Sequence, residues 1–553
     1  MEHTFHYKHN PIVKKIFLTM LVPTIFMNLT TSIASMADTM IIGRYLDDAS
    51  LSVVTFATPI YMIINVFSAL FAVGGCIAMS IDSGKGWKEA ANKAFSISME
   101  LLALMGILMV AAGLFFSRVI TEWLGAGEDV FDLVQAYSRI ILLGTPFLGL
   151  NTGLAFFVRN DGQPTLSMVG MFSSIAVDII LNFVFVGHMG MGVAGAAYST
   201  VLGSVVSLLV LSSHFFSSKN TLKFRPALDG MAIRIVKNGG SAALQFVYQF
   251  TTILILNHLL AKLAGTNGVV LYTVVFNLAT VALSLFEGIS QTIQPMVSNY
   301  YGEKSYRNIR ETMRLAFIAI IAICGSVTLI LELRPHLIPV VFGIEAPELI
   351  AQAVVAVRIY AASMVITTVN VVIGYYLQSI EQSFTAAVLI SLRSFVLFLG
   401  AVLVLGKIFG INGVWAAYIV AETLTLLICL LIIRLKRTRL AAKGINVNAF
   451  LLEKEVEAGI ICFTCDCSKD DFASYSREIS KQLPAEDYFA HLGSCISGKK
   501  GQFIETEINS CESKAFIRDN LTHDDFSQSV SGEAEYTPVL GWNRLCIGLD
   551  KQQ

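Results

Sequence analysis

The chain has 553 residues, 55% of them hydrophobic and 14% charged, with a formal net charge of −1. Soluble proteins carry about 25% charged residues, so this composition belongs to a membrane protein, and the near-zero charge excludes a nucleic-acid binder with a dominant basic face. Of the nine cysteines, Cys76, Cys324 and Cys429 lie in apolar runs and the others follow residue 460, which gives the apolar part no disulfide framework.

The segment before Pro11 is short and polar, and no small-residue cleavage site follows the first apolar run. That run therefore reads as a retained span, not a signal peptide. Windows of about 20 apolar residues fall near 16–40, 51–78, 94–117, 131–157, 165–187 and 193–216, and again near 239–261, 269–296, 314–332, 350–377, 385–405 and 412–433. Twelve transmembrane helices are expected. Lys14 and Lys15, then Lys85, Lys88 and Lys93, then Lys219, Lys223, Arg225, Arg234 and Lys237, then Lys304, Arg307, Arg310 and Arg314, and finally Arg434, Lys436, Arg437 and Arg439 fall on one side of that arrangement. By the positive-inside rule both termini are cytoplasmic, in a plasma (inner) membrane.

Helix one carries Thr24, Asn28, Thr31, Ser35 and Asp38 at alternating steps of four and three, a single polar face on an otherwise apolar helix. A carboxylate at that depth is expected to face a bundle interior and to mark an ion, proton or substrate path. Pro23, just before the stripe, removes a backbone donor and is the expected hinge. Helix five places Ser174, Asp178 and Asn182 on one face. Helix seven does the same with Gln245, Tyr248 and Gln249. Helix eight bears Asn277, Thr280, Ser284, Glu287, Gln291 and Gln294, a stripe that must face protein or water. Arg139 and Arg358 recur near the outer ends of helices four and ten, which favours a scaffold role, whereas Arg393, Glu100 and Glu422 each stand alone and receive no role.

The two sets of six helices repeat. Ser80 pairs with Ser298 and Gly84 with Gly302 at a displacement of 218, Arg139 with Arg358 and Asn151 with Asn370 at 219, and Tyr198 with Tyr418 at 220. Six is even, so the halves have parallel topology and relate by an axis along the membrane normal, which places sites near the midplane between or within lobes. The expected domains are an N-lobe at 1–220, a C-lobe at 221–438 and a cytosolic tail at 439–553. The buried acids do not repeat: Asp38 corresponds to Leu256, Asp178 to Leu397 and Glu287 to Ala69.

The paired six-helix halves, "DTMIIGRYL" closing helix one, "QPMVSNYYGEK" after helix eight and "GMGVAGAAYST" opening helix six together resemble the multidrug and toxic-compound extrusion (MATE) family over about residues 11–438. The resemblance implies two six-helix bundles, alternating access, and efflux of organic, often cationic, compounds against inward flow of protons or sodium. Family members usually place an asparagine before an aspartate on helix five, and here the order is exchanged, Asp178 then Asn182. The expected coupling-ion site is Asp38, Asp178, Asn182 and Ser35, since two carboxylates in one low-dielectric pocket are not both cheaply ionised and would share a proton. The same oxygens suit a dehydrated sodium ion. Cargo is expected at Glu287, Asn277, Gln291, Gln245, Tyr248 and Gln249, with aromatic rings such as Tyr248 and Tyr272 stacking on flat cations.

After residue 440 the apolar windows end, and a mixed segment begins that suits a small α+β cytosolic domain. "ICFTCDCS" alternates as a strand does, but Cys462, Cys465 and Cys467 lack the second pair a zinc site needs. "DFASYSREISKQL", "AFIRDN" and "VLGWNRLCIGL" faintly resemble an anti-sigma-factor type of histidine-kinase-like ATPase domain without its nucleotide motif. No catalytic triad, metal cluster or phosphate loop is evident. The sequence therefore describes a monomeric secondary transporter of small organic compounds in a lipid bilayer, not an enzyme, with H+ or Na+ as coupling ion and no other cofactor. A lipid-linked saccharide flippase of the same superfamily and a membrane sensor signalling through the tail are the alternatives.

Overall fold

The structure, a computed structural model, describes residues 11–46, 48–225, 230–341, 347–442, 502–507 and 544–549. The chain divides into two compact units, Met1–Ile428 and Cys429–Gln553. In the second unit, β1 (Gln502–Glu507) and β2 (Arg544–Leu549) pair antiparallel, with Ile504 opposite Ile547. The expected strand at Cys462–Cys467 and the ATPase-like stretches "DFASYSREISKQL" and "AFIRDN" lie outside the described residues.

The first unit is helical. Its elements are α1 (Pro11–Tyr45), α2 (Asp48–Ser68), α3 (Gly74–Gly84), α4 (Lys88–Phe115), α5 (Ser117–Trp123), α6 (Phe131–Asn160), α7 (Pro164–Asn182), α8 (Gly192–Ser212), α9 (Met231–Gly302), α10 (Tyr306–Ala319), α11 (Gly325–Leu333), α12 (Leu337–Val341), α13 (Pro347–Ser379), α14 (Ser383–Ser391), α15 (Leu397–Phe409) and α16 (Ile411–Ala442), which runs on past the unit boundary. π-helical turns at Ala69–Val73, Ile320–Cys324 and Leu392–Val396 join α2 to α3, α10 to α11 and α14 to α15. Each inserts one residue per turn and re-aims the faces beyond it. Helix α1 continues through Pro23, the expected hinge.

Among the described residues, ten helical stretches are long and apolar enough to cross a bilayer: 11–30, 52–84, 88–115, 131–160, 164–188, 192–216, 306–333, 347–379, 383–409 and 411–432. These match ten of the twelve windows expected from the sequence. The other two windows lie within α9, a helical stretch of 72 residues. Gln245 and Glu287 nevertheless touch at 3.3 Å across 42 residues, where a straight helix would hold them about 63 Å apart. Helix α9 therefore doubles back, and its two limbs lie side by side.

The repeat seen in the sequence recurs in the backbone. Positive φ angles pair Gly86 (77°) with Lys304 (54°), Gly162 (79°) with Glu381 (58°), and Gly190 (63°) with Gly410 (59°), at displacements of 218, 219 and 220. These are the offsets of the matched residues, so corresponding turns close in the same conformation even where glycine has given way to Lys304 and Glu381. The repeat partners Gly84 and Gly302 also meet. A Cβ on Gly84 would lie 2.1 Å from the Asn299 carbonyl oxygen, and one on Gly302 would lie 2.1 Å from that of Ile81. Only glycine permits backbone to approach backbone so closely. This contact marks a seam where α3 packs on α9.

Candidate functional site

Helix α1 is the element that joins the expected sites. It packs against both α7 and α9. Toward α9, Ile25 lies against Gly288, the amides of Asn28 and Gln291 exchange hydrogen bonds at 3.3 and 3.4 Å, and the hydroxyls of Ser32 and Ser284 pair. Asn28 of the expected helix-one stripe, with Ser32 one turn on, thus faces Gln291 and Ser284 of the helix-eight stripe, which satisfies groups that a bilayer would leave unmet.

Toward α7 and the π-helical turn Phe183–His188 that extends it, the Ser167 hydroxyl lies 3.5 Å from the Met27 sulfur, and the Tyr45 ring covers Gly187 and meets Phe183 edge-on. The two helices therefore run parallel, each α1 residue level with the α7 residue about 140 positions later. That register puts the α1 position of Asp38 level with Asp178. The side chains of Thr31, Ser35 and Asp38 lie outside those described. Asp178 is 6% exposed and Asn182 fully buried, with the Asn182 amide donating to Asp178 at 3.4 Å. The Asp178 Cβ packs beside Gly203 of α8, so the acid is wedged between helices and held by the next turn of its own.

On the limbs of α9, the Gln245 amide donates to Glu287 at 3.3 Å. Glu287 keeps partial exposure, and one turn further on Gln291 is 5% exposed. Tyr248 donates to or accepts from Ser391 at 2.8 Å and stacks on Phe395 with ring centroids 5.2 Å apart. One face of its ring is therefore taken. Gln249 is partly buried, and the side chains of Asn277 and Tyr272 lie outside those described.

Arg393 and Glu422, expected to stand alone, are a pair. The Arg393 Nη2 donates to Glu422 Oε1 at 2.8 Å, and Asn370 donates to Glu422 Oε2 at 2.7 Å. Their sequence separation hid the contact, which forms where α13 (Asn370), the π-helical turn Leu392–Val396 (Arg393) and α16 (Glu422) converge. Asn370 was the available signal, since it is the repeat partner of Asn151.

Two further groups escaped the sequence reading. Arg159 at the end of α6 resembles any basic residue at a positive loop, yet it is fully buried. Its Nη1 donates to Gln291 Oε1 at 2.6 Å and its guanidinium lies 4.6 Å from the Phe156 ring, with Cys76 and Tyr375 close by. The second is a network at the basic end of the seam. Arg234 bonds Asp82 at 2.7 Å and Glu381 at 2.6 Å, Asn238 donates to Glu381 at 3.0 Å, and Lys85 lies 3.8 Å from Asp82. Burial by itself would lift the Glu381 carboxyl, but the Arg234 guanidinium, with Asn238 and Lys85, brings it below the ordinary carboxylate value.

A sequence profile of the family described as MatE matches residues 23–184 and 240–403. The two stretches begin 240 − 23, or 217, and end 403 − 184, or 219, residues apart, which is the spacing of the repeat. The multidrug export protein MepA of Staphylococcus haemolyticus (strain JCSC1435) is 25% identical over 462 residues, 82% of this chain and 99% of that protein. MepA of Staphylococcus aureus (strain NCTC 8325 / PS 47) is 24% identical over 447 residues, 79% of this chain and 97% of that protein. Among solved structures, an outward-facing multidrug resistance MATE family transporter of the MOP superfamily superposes with a TM-score of 0.73 at 20% identity, over 78% of this chain and 97% of that one. A MOP superfamily transporter from Pyrococcus furiosus, described by a binding pocket of reverse polarity, gives 0.71 at 20% identity with the same coverage.

Proposed function

The chain belongs to the MatE family, and from that premise we propose that it is a secondary active exporter of organic cations, driven by protons or sodium. The observation that carries the cargo class is Glu287. It is a partly exposed carboxylate on the second limb of α9, within the apolar window expected at 269–296, held by the neutral amide of Gln245, and a carboxylate so placed attracts an organic cation. The multidrug export relatives support the same reading.

In this account the ten apolar spans and the two limbs of α9 make twelve crossings, with residues 1–220 and 221–438 as the bodies that move. The end bearing Lys85, Lys88, Lys219, Lys223, Arg234 and Lys304 is cytoplasmic. Closure there by the Arg234 network and by Gly84 on Gly302 supports reading this as the outward-facing state of an alternating-access cycle. Asp38, level with Asp178 and Asn182 across α1 and α7, forms with Ser35 the coupling-ion site. Loading that site alters the charge between α1 and α7, and α1 passes the change to the cargo site because its opposite side bonds Ser284 and Gln291.

The direct test of the cargo assignment is binding of a fluorescent organic cation to purified protein, parent against Glu287→Gln. The account expects affinity to fall about tenfold or more, the loss of one charge-assisted contact. Unchanged affinity would remove Glu287 from the cargo site. A lipid-linked saccharide cargo would come forward if neither protein bound the cation.

A further inference from the structure

We propose that Arg159 acts as a charged wedge that drives the seam open at its basic end, with Gln291 as the neutral catch that holds it shut. The proposal rests on the reading that the two halves part at that end.

The guanidinium of Arg159 is sealed from solvent at 0% exposure, and it spans the seam from α6 to α9. What it meets there is an amide oxygen. Its Nε and Nη2 have no hydrogen-bond partner, and no ion pair to it is formed among the described residues. A guanidinium carries five donors and stays charged, so the closed state holds a desolvated cation with no counter-charge among the described residues, which the Phe156 ring at 4.6 Å offsets only in part, an arrangement that is unfavourable. Parting the seam returns water to it.

At the seam itself Asn299 Oδ1, beside Gly84, is a buried side-chain atom with no hydrogen-bond partner.

The repeat shows that the fold itself does not need the charge. At the displacement of 219 the counterpart of Arg159 is Gln378, which is 1% exposed and neutral. One half places an amide at this position and the other a guanidinium, so the cation is an addition to the shared scaffold. Opposing the wedge is the outer network of Asp82, Arg234, Glu381 and Asn238, where each charge has a partner of opposite sign. The closed state is held from the rim and strained from within, which keeps the two conformations close in free energy and lets a small differential binding energy of cargo or ion select between them.

The test is hydrogen–deuterium exchange by mass spectrometry on the full chain in lipid nanodiscs, without cargo or gradient, read on peptides covering Met79–Lys88 and Ser298–Tyr306. Arg159→Met should slow exchange there about tenfold, because the strained closed state loses its strain. Arg159→Lys, which keeps the charge, should retain the parent rate. Gln291→Glu, which supplies the missing counter-charge, should slow exchange as Met does. Unchanged or faster exchange in Arg159→Met would overturn the proposal, since a residue that merely braces the seam loosens it when removed. If that variant does not fold, Gln291→Glu decides alone: slower exchange supports the wedge, and unchanged or faster exchange overturns it. Because the readout involves no transport, failure here is distinct from failure of the export reading.

Discussion

Glu422 accepts from both Arg393 and Asn370 inside the helix bundle, and Arg393 is 9% exposed. Removing one partner leaves the other charge buried and unmet, which costs about 3–5 kcal/mol, whereas removing both with well-packed apolar residues is often close to neutral. Arg393→Leu and Glu422→Leu should therefore each lower the thermal midpoint of purified protein markedly, and the double substitution should recover much of the loss. Additive losses in the double variant would mean that the pair is not a unit. Glu287 differs from Glu422, to which a guanidinium donates, in having an amide, Gln245, as its hydrogen-bond partner. Glu287→Gln is accordingly expected to fold and to lose cation affinity, so that stability and binding separate.

Helices α3 and α9 depend on small residues where their backbones touch. Gly302→Ala puts a methyl group 2.1 Å from a carbonyl oxygen, and that oxygen belongs to backbone, so helices must part. Overpacking of this kind costs about 1–3 kcal/mol. The account expects a lower thermal midpoint and faster hydrogen exchange at Met79–Lys88, and unchanged exchange there would show that the close approach is dispensable. The rim network makes a second prediction for the same elements. The folded-state value of Glu381 lies below the ordinary carboxylate value, so its contribution to closure is present above that ordinary value and is lost as pH falls through the depressed one. Closure measured by exchange should not vary between pH 5 and 8 on account of this network. Glu381→Gln should loosen the seam throughout that range. A closure step titrating near neutrality that Glu381→Gln abolishes would contradict this assignment.

At the scale of the whole molecule, the apolar windows and the repeat were legible because they rest on periodicity and composition, which a single chain displays. Ten windows became apolar spans, and displacements of 218 to 220 reappeared as paired positive-φ turns. What could not be read was which polar faces meet. Asn28 was placed on one face with Asp38, yet its hydrogen bond is to Gln291 of α9, because α1 packs against both α7 and α9. Arg159 was missed for a related reason. A basic residue at a loop is normally solvated, and nothing local says that a neighbouring helix covers it. Its one signal was the repeat, which pairs Arg139 with Arg358 but Arg159 with Gln378.

The central claim is that an ion gradient acting at Asp38 and Asp178 drives cation export past Glu287. It is tested most directly in proteoliposomes, by following a fluorescent organic cation under an imposed proton gradient and, separately, a sodium gradient, for the parent, Asp38→Asn and Glu287→Gln. The account predicts uphill movement under one of the gradients for the parent. It predicts loss of gradient dependence in Asp38→Asn with cation binding retained, and loss of binding in Glu287→Gln. A parent that moves no cation under either gradient, or an Asp38→Asn protein that couples as the parent does, would contradict it.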